Sequence, residues 1–380
     1  DVSGNVDIDG VLETDNLTIG GAQGSDGQVL TSTGSGVGWE SVPAGITNKT
    51  FGTSSIMIGD NATGTIDAAN YNTGLGVDVF AALTSGDNNT AIGFSALTAN
   101  TTGADNVAIG IYAMDANTTG AQNTALGRDA LGANTTATGN TGLGYASLGA
   151  NTTGASNVAV GYGSLDANTT ASNNTAVGYD ALGVNTTGTH NTAVGAAALD
   201  ASTTGSDLTA VGYNVLGANT TGYSNVGVGG SATYLAAALA TNTTGYGNTA
   251  LGSGAMAATT TASSNVAVGR QSMYANTTGS NNVGIGQAAL GANTEGGDNV
   301  AVGALAGDAN TTGAGLTAIG KGAAGANTTA NYNTAVGGAA LAVNTTGAGN
   351  TAVGYGALDA NTTASNNVAV GYGAASANTT

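Results

Sequence analysis

A period of 17 residues runs through most of the chain, and no other feature restricts its fold so tightly. Aliphatic-glycine pairs mark it, with Ile58-Gly59, Leu75-Gly76, Ile92-Gly93, Ile109-Gly110 and Leu126-Gly127 following one another at that interval. The units begin at Ser55 and Asn72 and keep register to Asn225. That unit is six residues longer, with Tyr234-Leu235-Ala236-Ala237-Ala238 in the excess region, and the period resumes at Asn248 and runs to a last unit at Asn367. The 19 units share the consensus N-[TV]-A-[VI]-G-Y-x-A-L-x-A-N-T-T-G-x-x. A repeat too short to bury its own apolar face does so by stacking on its neighbours. Seventeen residues with a fixed glycine and paired threonines cannot hold two helices. The chain therefore reads as all-β, a parallel β-solenoid of 17-residue rungs. At about 4.8 Å per rung the array is on the order of 90 Å long.

Comparison among units shows what each place demands. Place five is glycine in all 19 units, represented by Gly59, Gly93, Gly127, Gly161, Gly178, Gly212, Gly269, Gly303 and Gly354. A corner with positive φ, or one too crowded for a Cβ, requires that. Place four is always Ile, Leu or Val, and Ile92, Ile109, Val160, Val177, Val194, Val211, Val268 and Val353 are assigned to the core. Place three is nearly always Ala or Gly and points to the opposite face of the strand. A strand apolar on both faces is covered on both; the alanine face has room only for a close partner, read as another chain. The second half of the unit adds a further aliphatic residue, as at Leu97, Leu131 and Leu165, before a polar turn such as Asn100-Thr101-Thr102-Gly103.

Residues 1–50 lack the repeat and form a separate β-rich leader, bounded near Ala44–Phe51 just after Pro43, with the solenoid assigned to 55–380 and its insertion to 234–240. Val6-Asp7-Ile8-Asp9-Gly10-Val11-Leu12 alternates like a strand with a turn, and Gly27-Gln28-Val29-Leu30-Thr31-Ser32 followed by Gly38-Trp39 marks a second β element. A further leader or anchor domain lying outside this sequence is an expectation from its start at Asp1.

Composition narrows the function classes. Charged residues are 7% of the chain, against roughly 25% in an ordinary globular domain. Abundant glycine without a three-residue period or proline excludes collagen, and 41% hydrophobic content is too high for a disordered linker. A net charge of −18 with only Lys49, Arg128, Arg270 and Lys321 as bases argues against nucleic acid and anionic membrane surfaces. No run of about 18 apolar residues is present to span a bilayer.

Candidate sites are few. Asn-Thr-Thr is a glycosylation sequon at Asn100, Asn117, Asn134, Asn151, Asn168, Asn185, Asn219, Asn242, Asn276, Asn310, Asn327, Asn344 and Asn361. The favoured alternative is a ladder of identical side chains stacked rung on rung at a turn. A threonine ladder that binds ice is disfavoured, because adjacent threonines in extended backbone point to opposite faces. His190 is the only histidine and has no partners for a triad or a His-based metal site. Asp115, Asp129, Asp166, Asp180 and Asp200 fall at variable outer places; weak surface Ca²⁺ is the one ion they would hold, but no Asp-rich loop supports it and no cofactor is expected. Tyr145, Tyr162, Tyr179, Tyr213, Tyr355 and Tyr372 follow the fixed glycine, as rows that cap a rung corner or, less favoured, bind sugars.

Units such as Asn174-Thr175-Ala176-Val177-Gly178-Tyr179-Asp180-Ala181-Leu182 resemble the head repeats of trimeric autotransporter adhesins (YadA-like), and more closely the arrays of phage tail-fibre-domain proteins. The leader segments Gly4–Gly10 and Gly27–Gly34 are similar to leaders in the same fibre-like proteins. The resemblance implies a left-handed parallel β-roll, homotrimerised along its length, in an extracellular fibre on a virion or cell surface. Adhesin head repeats are typically shorter than this unit, and no coiled-coil stalk or membrane anchor is evident. The expected function is a non-enzymatic fibre shaft displaying a receptor-binding tip, with a cell-surface receptor or glycan engaged outside this region. A bacterial surface adhesin and a glycosylated extracellular filament are the alternatives.

Overall fold

The computed structural model describes residues 68–231 and 235–379, together with six short strands before them: Thr18–Ile19, Ala22–Gln23, Gln28–Ser32, Val37–Ser41, Asn48–Lys49 and Ile56–Ile58. The segment Val6–Leu12, the glycine at 59 and Tyr234 of the insertion lie outside the described residues. Gln28–Ser32 pairs antiparallel with Val37–Ser41, and Thr18–Ile19 with Ala22–Gln23.

The rest is a parallel β-solenoid. Eighteen three-residue strands, from Thr73–Leu75 to Val368–Val370, pair parallel in sequence order, and Ile56–Ile58 joins at the start. Identical places face each other in every pair: Thr175, Ala176 and Val177 meet Thr192, Ala193 and Val194. The spacing changes once, where Val226–Val228 pairs with Thr249–Leu251. The described residues on either side of the excess keep the ladder. Ser231 N still bonds Tyr213 O, and Ala238 O receives Leu216 N, the bond that an eighth-place carbonyl accepts elsewhere.

Short strands suffice because rung-to-rung bonding continues outside them. Leu97 N donates to Ala113 O, Ala99 N to Asp115 O, Thr101 N to Thr118 O, and Asp105 N to Asp87 O. Most of one rung's peptide groups are thus satisfied by the next, as buried backbone requires.

The corners are made by backbone of unusual hand. Place five has φ between 128° and 146° in every described rung. A methyl group on Gly178 would lie 2.5 Å from Gly195 O and 2.6 Å from Gly195 C, so conformation and crowding both demand glycine. Places seven, nine and seventeen are left-handed as well, as at Ser95, Leu97 and Asp105 (φ 55°, 51° and 57°). Place seventeen draws heavily on Asn, Asp, Ser and Gly, residues that tolerate this region. Place nine instead carries leucine or methionine in most rungs. Its strain of about 1–2 kcal/mol is outweighed by burying a large side chain, worth about 1.5–3 kcal/mol.

The two strand faces are reversed from expectation. Alanine at place three points into the solenoid: Ala91, Ala108, Ala159, Ala176, Ala193, Ala210, Ala267 and Ala352 are fully buried. The residues assigned to the core, Ile92, Ile109, Val160, Val177, Val194, Val211, Val268 and Val353, lie on the outer face and are half-buried or exposed. The alanine face is therefore not the contact surface for another chain. The reason is width. A methyl on Gly142 would already meet Ser147 Oγ at 3.0 Å and Leu131 Cγ at 3.4 Å, so place three has no room for a branched residue. The core consists of these alanines, the eighth-place alanines, and the ninth-place Leu97, Met114, Leu131, Leu148, Leu165, Leu182 and their successors.

Candidate functional site

The asparagines line the interior. Asn100, Asn117, Asn134, Asn151, Asn168, Asn185, Asn219, Asn242, Asn276, Asn310, Asn327, Asn344 and Asn361, proposed above as sequons, are all fully buried. Each donates from Nδ2 to the carbonyl three residues on, as Asn117 does to Gly120 O at 3.0 Å. Most also donate to Oδ1 of the asparagine one rung before, at 2.8–3.2 Å. A glycan on any of these nitrogens would remove a buried donor and would have no space, so glycosylation at these asparagines is incompatible with the folded solenoid. A second column, at place one, received no role in the sequence reading. Asn106 N donates to Asn89 Oδ1, and Asn106 Nδ2 donates to Gly120 O, the same carbonyl that receives Asn117. One turn carbonyl thus ties both columns together in each rung.

The paired threonines divide their work. Thr101 Oγ1 donates to Thr118 O at 3.0 Å, a bond repeated up the thirteenth place, while the fourteenth place, as at Thr102 and Thr119, is exposed.

Three kinds of surface remain. Tyrosines after the fixed glycine stack on one another: Tyr145, Tyr162 and Tyr179 have ring centroids 5.2 and 5.3 Å apart with planes within 15° of parallel. Arg128 caps this row, its guanidinium 5.8 Å from the Tyr145 centroid. Tyr355 stacks on Tyr372 in the same way, and Tyr223 on Tyr246 at a different corner. Stacked rings cover each other's faces and offer solvent mainly their edges and hydroxyls. A sugar packs on a ring face, so only the terminal ring of a row presents that surface.

Beside the tyrosine row lie carboxylates. Asp166, Asp180 and Asp200 line an open depression of about 310 Å³ with Gly163, Gly183 and Val184, and Asp115, Asp129 and Asp166 line a shallower one. Partial burial raises the pKa of Asp166, and the nearby charge of Asp180 adds to it. Asp200 and Asp115 are raised by burial too, opposed by backbone hydrogen bonds, with smaller contributions from Asp180 and Asp129. The one ion pair among the described residues joins Arg128 to its neighbour Asp129 on the surface. Among the described residues no group of three His, Asp or Glu is disposed to hold a metal ion. His190 is exposed and lies near Thr189 Oγ1 and Asn173 Nδ2.

The third surface is the outer face of the sheet. Each of the eighteen rungs from Thr73–Leu75 to Val368–Val370 contributes a Thr or Val at place two and an Ile, Leu or Val at place four, in register from end to end. Leu75, Leu126, Leu143 and Leu251 are 40–49% exposed there. Eighteen strands at about 4.8 Å make a stripe on the order of 85 Å long. Isolated exposed aliphatics are ordinary, whereas here they form a continuous row.

Comparison with protein-family models, curated proteins and solved structures finds no match. The resemblance to tail-fibre and adhesin-head proteins rests on the repeat motif and the leader segments.

Proposed function

We propose that the chain is a structural shaft segment of an extracellular attachment appendage, a phage tail fibre, which displays a receptor-binding tip at a distance and performs no catalysis. The observation that supports this reading is the outer aliphatic row, one residue per rung along an unbroken ladder. Three copies packed by this face around a common axis would bury it over the full length and leave tyrosines, carboxylates and fourteenth-place threonines as the fibre's surface. The acidic, base-poor exterior keeps such a fibre soluble and disfavours contact with nucleic acid or membrane. Receptor or glycan binding belongs to parts of the appendage beyond this segment.

Native and denatured mass test this together. A native mass of three times 35.8 kDa, with a rod on the order of 90 Å in electron micrographs, is the expected outcome. A native monomer overturns the trimeric shaft. A second reading, a surface adhesin of the trimeric autotransporter type, draws on the tyrosine rows and acidic depressions along the sides. It requires the shaft alone to bind cells or matrix, whereas the shaft reading requires it not to.

A further inference from the structure

The twelfth-place asparagine column is broken twice in its interior, and the same defect appears both times. Asparagine runs unbroken from Asn100 to Asn185; Ser202 follows, then Asn219 and Asn242, then Thr259, and the column resumes at Asn276. At the first break Asn185 Oδ1 and Ser202 Oγ are buried without a protein partner; at the second, Asn242 Oδ1 and Thr259 Oγ1 are. The asparagine after each break keeps one Nδ2 bond, Asn219 to Gly222 O and Asn276 to Gly279 O, at 3.0 and 2.9 Å. Its second N–H, which elsewhere reaches the preceding Oδ1, meets a hydroxyl side chain too short to continue the relay. Place one shows that a break need not have this consequence. Leu208 and Leu316 interrupt that column, yet Asn191 Oδ1 and Asn299 Oδ1 still receive the leucine backbone N–H at 3.0 and 2.9 Å. The place-one column hands on its bond through the main chain; the twelfth-place column does so only through the side-chain amide.

We propose that an internal water molecule occupies each break and carries the relay across it, bridging Asn185, Ser202 and Asn219 in one case and Asn242, Thr259 and Asn276 in the other. The chemistry of the three groups selects water. The occupant must donate to an amide oxygen and accept from an amide N–H, which excludes a metal cation, repelled by the N–H, and an anion, repelled by the oxygen. Neither the side chains of these triplets nor the backbone carbonyls they bond carry net charge. A buried water typically makes two to four hydrogen bonds, and each site offers three groups. Replacing the amide of asparagine by a hydroxyl shortens the side chain by one bond, leaving space where the amide N and O would sit. At the first site Leu208 forms an apolar wall: its Cδ1 lies 2.9 Å from where a methyl on Gly205 would stand. The two breaks bracket the rung with the insertion, so the middle stretch of column has only two asparagines.

The test is a crystal structure of the full chain at a resolution that orders water, with S202N and T259N beside it. The expected result is a full-occupancy peak within hydrogen-bonding distance of all three groups at each break, lost in the matching variant, where the new amide takes up the relay. Absence of a peak in the natural chain, or a Leu208 side chain filling the first site, overturns the proposal there. Amide exchange gives a check in solution. Asn219 and Thr220 exchange about tenfold faster than Asn151 and Thr152, and S202N removes the difference; equal rates in the natural chain count against a water-bridged break.

Discussion

The inner and outer faces of one strand differ in what they tolerate, although both look apolar in sequence. Inside, place three is alanine or glycine, and glycine appears where a neighbour needs the space. Gly227 stands against Val215, and Gly284 against Ser272, each within 2.7 Å of where a Cβ would sit. Outside, places two and four exchange Thr for Val and Val for Ile or Leu without regard to neighbours. The interior is governed by volume, the exterior by β-propensity and by whatever covers it.

Substitutions along a single strand separate these regimes. The corner where both faces end is the most sensitive: Gly178→Val places a branched side chain at φ 146° against the next rung's backbone. Thermal unfolding should show a loss of about 4 kcal/mol or more; an unchanged melt and rod length would sink the assignment of this corner. One face inward, Ala176→Leu overpacks the solenoid and should cost about 1–3 kcal/mol in denaturant titration. A neutral result would mean the interior is looser than Gly142 and Gly227 indicate. On the outer face, Val177→Asp combined with Val194→Asp should change single-chain stability by only about 0.5 kcal/mol per site while reducing native mass from that of the proposed trimer to that of a monomer. If the double variant stays trimeric, assembly uses another surface.

The smallest effect concerns acidity. Asp115, Asp166 and Asp200 have pKa values raised above 3.8 by burial, so the folded chain holds these protons more tightly than the unfolded one. Stability therefore falls as pH rises from about 4 through the raised values, and acidification restores it. A higher melting temperature at pH 4.5 than at pH 7 is expected, with Asp166→Asn and Asp200→Asn flattening the slope.

The period, the rung count and the need for glycine at place five were legible because they depend on repetition and on backbone geometry. Which strand face is inside was not legible. In a three-residue strand reading Thr-Ala-Val, hydrophobicity ranks valine as core and makes alanine ambiguous. Interior width decides otherwise, and width is set by Leu131, Leu148 and their equivalents, which reach the strand from place nine. The buried asparagines show the same limit. Asn-Thr-Thr-Gly reads as a surface turn, and the second column at place one that shares its carbonyl is brought beside it only by closure of the rung. The left-handed conformation of Leu97 and its equivalents had no signal at all, since leucine is not a residue that announces positive φ. Signals that were present but unused include the Asn, Asp, Ser and Gly bias at place seventeen and the exclusively threonine thirteenth place in the described rungs.

The matched irregularities of the interior have a consequence for how the chain finds its alignment. A ladder of near-identical rungs is open to slippage by one whole repeat, which would preserve almost every backbone bond. Val215 facing Gly227, Ser272 facing Gly284 and Leu316 filling the space beside Gly307 fit only one alignment. Shifted by 17 residues, Val215 would press on an alanine and Gly307 would lose the leucine that fills its gap. These pairs act as keys cut differently at each level, so that a repetitive solenoid closes in a single frame.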